Sequence, residues 1–274
     1  MHSSDRRTAR SEPGSPGPPD QAAMTPGAVV TEAAGPIGWG IARTLAGLGY
    51  SVHLTDMDGR LASRAADELG APSFGSALDA RSLPACRAAA SRTKRRFGSL
   101  AVWVNAGAVT GAGRAWEQDE RSRQRTLDLI LGGTINGTLA ALEVMRPMGE
   151  GLVINVIELN RLLPQAGQAV SSAAHHGALA FSRGALADLR AAGLGQVNVS
   201  CLLATRRLVG QPERLRGALA ELLDQPRPLL AIPRWRGVLV RASSLWPASE
   251  RWSSGLGSAL VEPARSRARG SRPD

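Results

Sequence analysis

The sequence predicts an α/β fold: a doubly wound parallel sheet with helices on both faces, in a single domain with a small C-terminal lobe. Three observations carry that expectation. Short apolar runs rich in Val, Ile and Leu alternate with helical stretches from residue 28 to about residue 205, the pattern of a sheet buried on both sides. The first run breaks into a Gly-rich turn that leads straight into a helix, and the second run ends on acids. With 274 residues, 43% of them apolar, the chain has the size and composition to bury one full core.

Residues 1–26 are rich in Ser, Pro, Gly and Arg, cannot bury apolar area, and read as a disordered extension with Met24 as a second candidate start. Residues 28–31 read as a strand, 37–47 as a helix, and 51–55 as a strand ending in Asp56-Met57-Asp58. Asp58 suits the cap of the next helix, 61–69. A short strand at 72–78 ends at Asp79, and the helix at 83–97 carries Lys94-Arg95-Arg96 at its negative terminus. Residues 100–104 form a strand leading into Asn105-Ala106-Gly107, then a Gly-rich loop to Gly113 and a long helical pattern over 120–145. Strands at 152–157 and 197–202 flank an Ala-rich helix at 169–189. After Leu203 the pattern loosens into a helical stretch at 206–223 and a segment at 226–247 with three prolines near its start. The expected divisions are a core at 27–205, a helical C-terminal lobe at 206–262 for substrate or oligomer contacts, and a basic disordered tail at 263–274.

The formal charge of +10 is carried almost wholly by Arg, eight of them between 206 and 241. No nucleic-acid reading motif accompanies them, so a solvated face is expected rather than a nucleic-acid surface. Trp235, Trp246 and Trp252 sit among these arginines and read as part of the lobe rather than of a membrane interface. No apolar run looks long enough to span a bilayer, no signal peptide is visible, and a cytoplasmic protein is expected. Cys86 and Cys201 lie in apolar contexts and read as buried thiols. No metal spacing is present.

The stretch 28–40 has the order of parts of a dinucleotide-binding opening, in which backbone and a helix N-terminus hold a pyrophosphate. Gly35, Ile37 and Gly38 are its candidate contacts. Glu32 stands where the first glycine of such a turn is expected, and a carboxylate there crowds the turn and repels phosphate. Asp56 is placed to hydrogen-bond an adenosine ribose and to favour NAD over NADP.

From 28 to about 205 the sequence resembles the short-chain dehydrogenase/reductase family, whose fold is Rossmann-like. The resemblance lies in the turn 31–38, in Asp56, in Asp79-Ala80, in Val104-Asn105-Ala106-Gly107, in Val197-Asn198, and in the helix stretch Ser171-Ser172-Ala173-Ala174-His175-His176-Gly177-Ala178-Leu179. It implies NAD as cofactor, adenine contacts at Asp79 and Ala80, further cofactor contacts at Asn105, Ala106 and Gly107, and a homo-oligomer built through the helices at 120–145 and 169–189. It also implies an Asn/Ser/Tyr/Lys redox site. Here Ile130 stands at the Asn, Glu158 at the Ser, Ser171 at the Tyr and His175 at the Lys. The chain has one tyrosine, Tyr50, and one lysine, Lys94, so no Tyr and Lys lie one helical turn apart. A serine is shorter and far less acidic than a phenol, and a histidine is largely neutral at pH 7.

Three functions follow. The first is a degenerate member without ordinary hydride transfer, retained as a ligand- or nucleotide-binding or partner protein for a small molecule of unidentified chemistry. The second is an NAD-dependent oxidoreductase with unconventional catalytic residues. The third is a non-redox acid/base enzyme in which Glu158, Ser171 and His175 converge, Ser171 and His175 sharing a helix face.

Overall fold

The computed structural model describes residues 25–70, 72–107 and 113–232. Residues 1–24 of the N-terminal extension, the basic tail, and Trp235, Trp246 and Trp252 lie outside these residues. Among them the chain runs β1 (Gly27–Val30), α1 (Pro36–Gly47), β2 (Ser51–Asp56), α2 (Gly59–Leu69), β3 (Phe74–Ala77), α3 (Leu83–Phe97) and β4 (Val102–Asn105). It continues through α4 (Glu120–Leu127), α5 (Gly133–Met148), β5 (Gly151–Glu158), α6 (Ala169–Ala191), β6 (Val197–Ala204), α7 (Pro212–Asp224) and β7 (Leu229–Ala231).

The strands form one sheet in the order β3-β2-β1-β4-β5-β6-β7, every neighbouring pair parallel. Because all strands point the same way, their C-terminal ends share one edge. The winding reverses between β1 and β4, which opens a crevice at that edge.

The strands other than β2, which alternates Ser51, His53 and Thr55 with Val52 and Leu54, are mostly apolar because each face is covered. Val30, Leu54, Val104, Ile154 and Leu202 pack with Ile41, Leu45 and Leu219 of α1 and α7. Their neighbours Val29, Trp103, Val153 and Val199 pack on the other face with Cys86, Met145 and Leu186 of α3, α5 and α6. Successive residues of a strand point to opposite faces, so a doubly covered strand shows no polar alternation. Cys86 and Cys201 are both buried and free, and burial pushes each thiol up to about 11.

Helix boundaries follow local chemistry. The Asp58 carboxylate accepts from Arg60 N at 2.9 Å and caps α2, and Ser82 caps α3 through Ala85 N. Pro36 occupies the first turn of α1, where its missing N–H breaks no helical bond.

Three expectations are corrected. The single helix read over 120–145 is two helices joined by a π-turn at Asp128–Gly132; Leu, Ile and Gly there keep helical periodicity, so the sequence carries no break signal. The helix read over 206–223 is a 3-10 turn at Arg206–Gly210 followed by α7, which Pro212 starts afresh. Beyond it Leu229–Ala231 adds a seventh strand against β6, hidden in the sequence by prolines at 226 and 228. The stretch Glu120–Met148 is also long and apolar enough to cross a membrane by length and composition. Its second half buries Ala140, Ala141 and Met145 against α3 and the sheet, as a core helix does.

Candidate functional site

The crevice is built where β1 ends. Thr31 ties the turn to β4: its N–H donates to Val104 O at 3.0 Å, and its hydroxyl accepts from Ala106 N at 3.1 Å. The next residue, Glu32, has φ +48°, the only non-glycine in the left-handed region among the described residues. A glycine meets this geometry without strain, whereas an L side chain incurs about 1–2 kcal/mol. Its side chain reaches across the switch point to β4: a Cβ placed on Gly107 would lie 3.2 Å from Glu32 Oε1. Gly38 makes the turn's close approach to α1. A side chain there would overlap the Glu32 carbonyl oxygen and stand 2.9 Å from Ala33 Cα. Gly35 is the N-cap of α1, and Ile37 packs its side chain on the core.

Asp56 closes the turn from β2. Its carboxylate accepts from Ala34 N at 3.3 Å and from Asp58 N at 3.2 Å. At the end of β3, Asp79 is held by Arg81 through Nε and NH2, the latter at 2.7 Å. That side-chain hydrogen bond, the largest influence, holds the carboxyl below its usual range. The Ala80 carbonyl accepts from Asn136 Nδ2 of α5 at 3.1 Å.

Asn105 is engaged inward. Its Oδ1 accepts from Trp103 Nε1 at 2.7 Å, and its Nδ2 donates to Asn155 Oδ1 at 2.8 Å. Asn155 in turn donates to Ser182 Oγ at 2.8 Å, and Ser182 to Ala178 O at 2.6 Å. This buried network bolts β4, β5 and α6 together behind the crevice.

Ile130 is buried in the π-turn and gives its carbonyl to Thr134 Oγ1 at 2.6 Å. Glu158 ends β5 and pairs with Arg161, Oε2 to Nε 3.2 Å, with both side chains about one-seventh exposed at 14% and 13%. Ser171 and His175 lie on α6, 3% and 2% exposed. Ser171 Oγ and His175 Nδ1 have no hydrogen-bond partner. Burial, then the charge of Arg161, then His176 push the imidazole down to about 4, so it is neutral at pH 7. Glu158 therefore answers to Arg161, and no hydrogen bond links it to His175 or His175 to Ser171.

The sequence did not single out Arg161 or Gln168. Arg161 lies in the irregular 3-10 turn Leu159–Leu162, where no pattern marks it. Gln168 is the N-cap residue of α6 with its side-chain Oε1 buried and unpartnered. A buried polar atom left without a partner costs about 1–3 kcal/mol, so Gln168, Ser171 and His175 form a concentrated deficit.

For an NAD cofactor, Asp56, Asp79, Ala80 and the Gly38 approach fit the adenosine end and the turn beneath it. The diphosphate end is opposed by the Glu32 carboxylate in the crevice and by Pro36, which withholds one N–H at the helix N-terminus.

Comparison with known proteins agrees with this fold. Residues 27–206 match the short chain dehydrogenase family. The chain is 29% identical over 59% of its length to 70% of the inactive 2-(S)-hydroxypropyl-CoM dehydrogenase 2 of Xanthobacter autotrophicus. It is 31% identical to cis-4-hydroxycyclohexanecarboxylate dehydrogenase of Sinomonas cyclohexanicum, covering 75% of this chain and 84% of that protein. Among solved structures, a short-chain dehydrogenase/reductase from Burkholderia phymatum in complex with NAD superposes with a TM-score of 0.70 at 20% identity, over 79% of this chain and 92% of that one. With the match running from β1 through β6, the chain belongs to the short chain dehydrogenase family.

Proposed function

We propose that this chain is a binding member of its family that keeps the crevice and lacks ordinary hydride transfer. The observation that carries the reading is the pair Ser171 and His175, buried, neutral and unpartnered at the positions the family resemblance gives to Tyr and Lys. Protonating a developing alkoxide takes an acid whose pKa is matched to the task and a cation that lowers it. Serine is a far weaker acid, and an imidazole at about 4 supplies no charge at neutral pH. The name of the Xanthobacter relative, an inactive dehydrogenase, supports the same reading.

A second reading, an NAD-dependent oxidoreductase with unconventional residues, is favoured by the Asp56 contact with the turn and by the retained Gly38 approach. One experiment separates the two: calorimetric titration with NAD, NADH, NADP and NADPH, followed by an absorbance assay for hydride transfer with a panel of ketones. Weak binding of NAD or NADH without turnover supports the binding reading, and turnover at ordinary rates overturns it. Self-association through α5 and α6 belongs to the same proposal, with Leu139 of α5 40% exposed. A strictly monomeric species in sedimentation would remove that part.

A further inference from the structure

Positive charge gathers without a counter-charge near the C-terminus of α3. Arg92, Lys94, Arg95 and Arg96 are all exposed there, and none of them forms an ion pair among the described residues. Other arginines, Arg81 and Arg87 among them, lie on carboxylates. Arg92 and Arg96 instead converge on one ring. Their guanidinium carbons stand 5.1 and 4.7 Å from the centre of Phe74. His53 stacks on that ring at 4.0 Å, so the two cations share the face that His53 leaves. Phe74 opens β3, the outermost strand, at the end of the sheet opposite the crevice.

Two like charges side by side repel, and cations in a last helical turn ordinarily answer the helix's own carbonyls. Neither guanidinium does so here. Both turn onto Phe74, whose ring holds them in place by cation–π attraction. Their field also reaches inward: after burial, Arg92 pushes the His53 imidazole down, and Arg96 adds to it.

The chemistry of the missing counter-charge follows from the donors. A guanidinium presents a planar fork, and a carboxylate fills one fork with one charge. A phosphate monoester carries nearly two negative charges at neutral pH and three acceptor oxygens, so it matches two forks at once. A nucleic-acid backbone offers one charge per phosphate. A membrane surface calls for apolar side chains that enter it, and the exposed large apolar residues Met57, Leu61, Trp116 and Leu139 all lie off α3 and β3.

We propose that Arg92 and Arg96, held on the Phe74 ring, form a site for a dianionic phosphate group, free or carried by a small monoester. The site uses no residue of the crevice and stands apart from the reading of the chain as a binding member of its family.

The test follows the arginine Nε–H signals of the full chain by proton–nitrogen NMR at pH 7.5 and constant ionic strength, with Arg60 as internal control. Inorganic phosphate and methyl phosphate are expected to shift the Arg92 and Arg96 signals saturably, with dimethyl phosphate and acetate at least tenfold weaker. Arg92→Gln and Arg96→Gln are each expected to weaken phosphate at least fivefold. Lys94→Gln removes the same charge from a side of the helix that does not face the pair and is expected to weaken it less than twofold. Phe74→Leu keeps an apolar side chain without the ring and is expected to weaken it at least threefold; the arginine variants decide the matter if this one does not fold. No saturable shift, or an equal response to acetate, overturns the site. So does an equal loss in Lys94→Gln and Arg96→Gln, which would mean general attraction to a basic surface. A DNA duplex or a vesicle of anionic lipid that binds while inorganic phosphate neither shifts these signals nor competes overturns it as well.

Discussion

The Glu32 carboxylate lies against Gly107, its Oε1 3.2 Å from where a Cβ on that glycine would stand, so a negative charge from the end of β1 occupies the mouth of β4. Replacing Glu32 with Gly removes that charge and the left-handed side chain together. We expect NAD affinity to rise at least tenfold by calorimetry and the protein to gain about 1 kcal/mol in urea unfolding. An affinity unchanged by Glu32→Gly would show that the charge does not govern the crevice.

Gly38 and Gly35 share the turn and differ in room. A Cβ on Gly38 stands 2.9 Å from Ala33 Cα and overlaps the Glu32 carbonyl, whereas on Gly35 it clears the same oxygen at 3.3 Å. Gly38→Ala is expected to cost about 1–3 kcal/mol by forcing α1 away from the turn, and Gly35→Ala less than about 1. Equal losses in thermal unfolding would contradict the difference in packing.

His53 is fully buried between Thr93 Oγ1 and Ser76 Oγ, each 2.7 Å away, and stacks on Phe74 at 4.0 Å. Burial, then Arg92, with Arg96 adding to them, pushes it down to about 3 against a weaker opposing influence from the Ala89 backbone. His175 is pushed down to about 4. Both pKa values are lowered on folding, so between pH 6.5 and about 4 the unfolded chain binds more protons, and stability present above pH 6.5 is lost as pH falls. The expected slope is about 1.4 kcal/mol per pH unit for each histidine. Urea unfolding at pH 7.5, 6 and 5 checks it, and His53→Gln should remove about half of the slope.

Asn155 joins Asn105 to Ser182. Asn155→Leu removes the shortest bond of the Asn105 amide, leaving it the longer ones to Thr134 O and Thr138 Oγ1, takes the donor from Ser182 Oγ, and is expected to cost about 2–4 kcal/mol. A loss under about 1 kcal/mol in chemical denaturation would mean that the network is dispensable.

Most of the sheet was legible because a doubly covered strand has a simple signature: Val102 to Val104 is an apolar run, and Leu152 to Ile157 is one broken only by Asn155. The turn residues were legible as well, since Gly35, Gly38 and Asp56 answer to local geometry. β7 was not, because three residues between prolines carry too little pattern. Arg161 and Gln168 escaped for another reason. Arg161 pairs with Glu158 three residues before it but acts on His175 from another element, and Gln168 stands out through a bond it does not make; neither of these last two relations is written in local sequence. Asn105 was legible through the resemblance of Val104-Asn105-Ala106-Gly107 to the family's motif, but its inward engagement depends on Trp103 and Asn155 together.

The π-turn at Asp128–Gly132 has a consequence for how the two halves of that long helix can change. A π-turn spends one residue more than an α-turn on nearly the same rotation, so α4 and α5 stay in phase across Asp128–Gly132 with one residue to spare. Deleting one residue between 128 and 132 would let the turn close as α-helix while Thr126, now buried, and Met145 keep their packing. The same deletion inside α4 would turn the residues before it by about 100° against α5 and carry Thr126 out of its packing. The turn is thus the one place in Glu120–Met148 where a residue can be lost without unseating either helix.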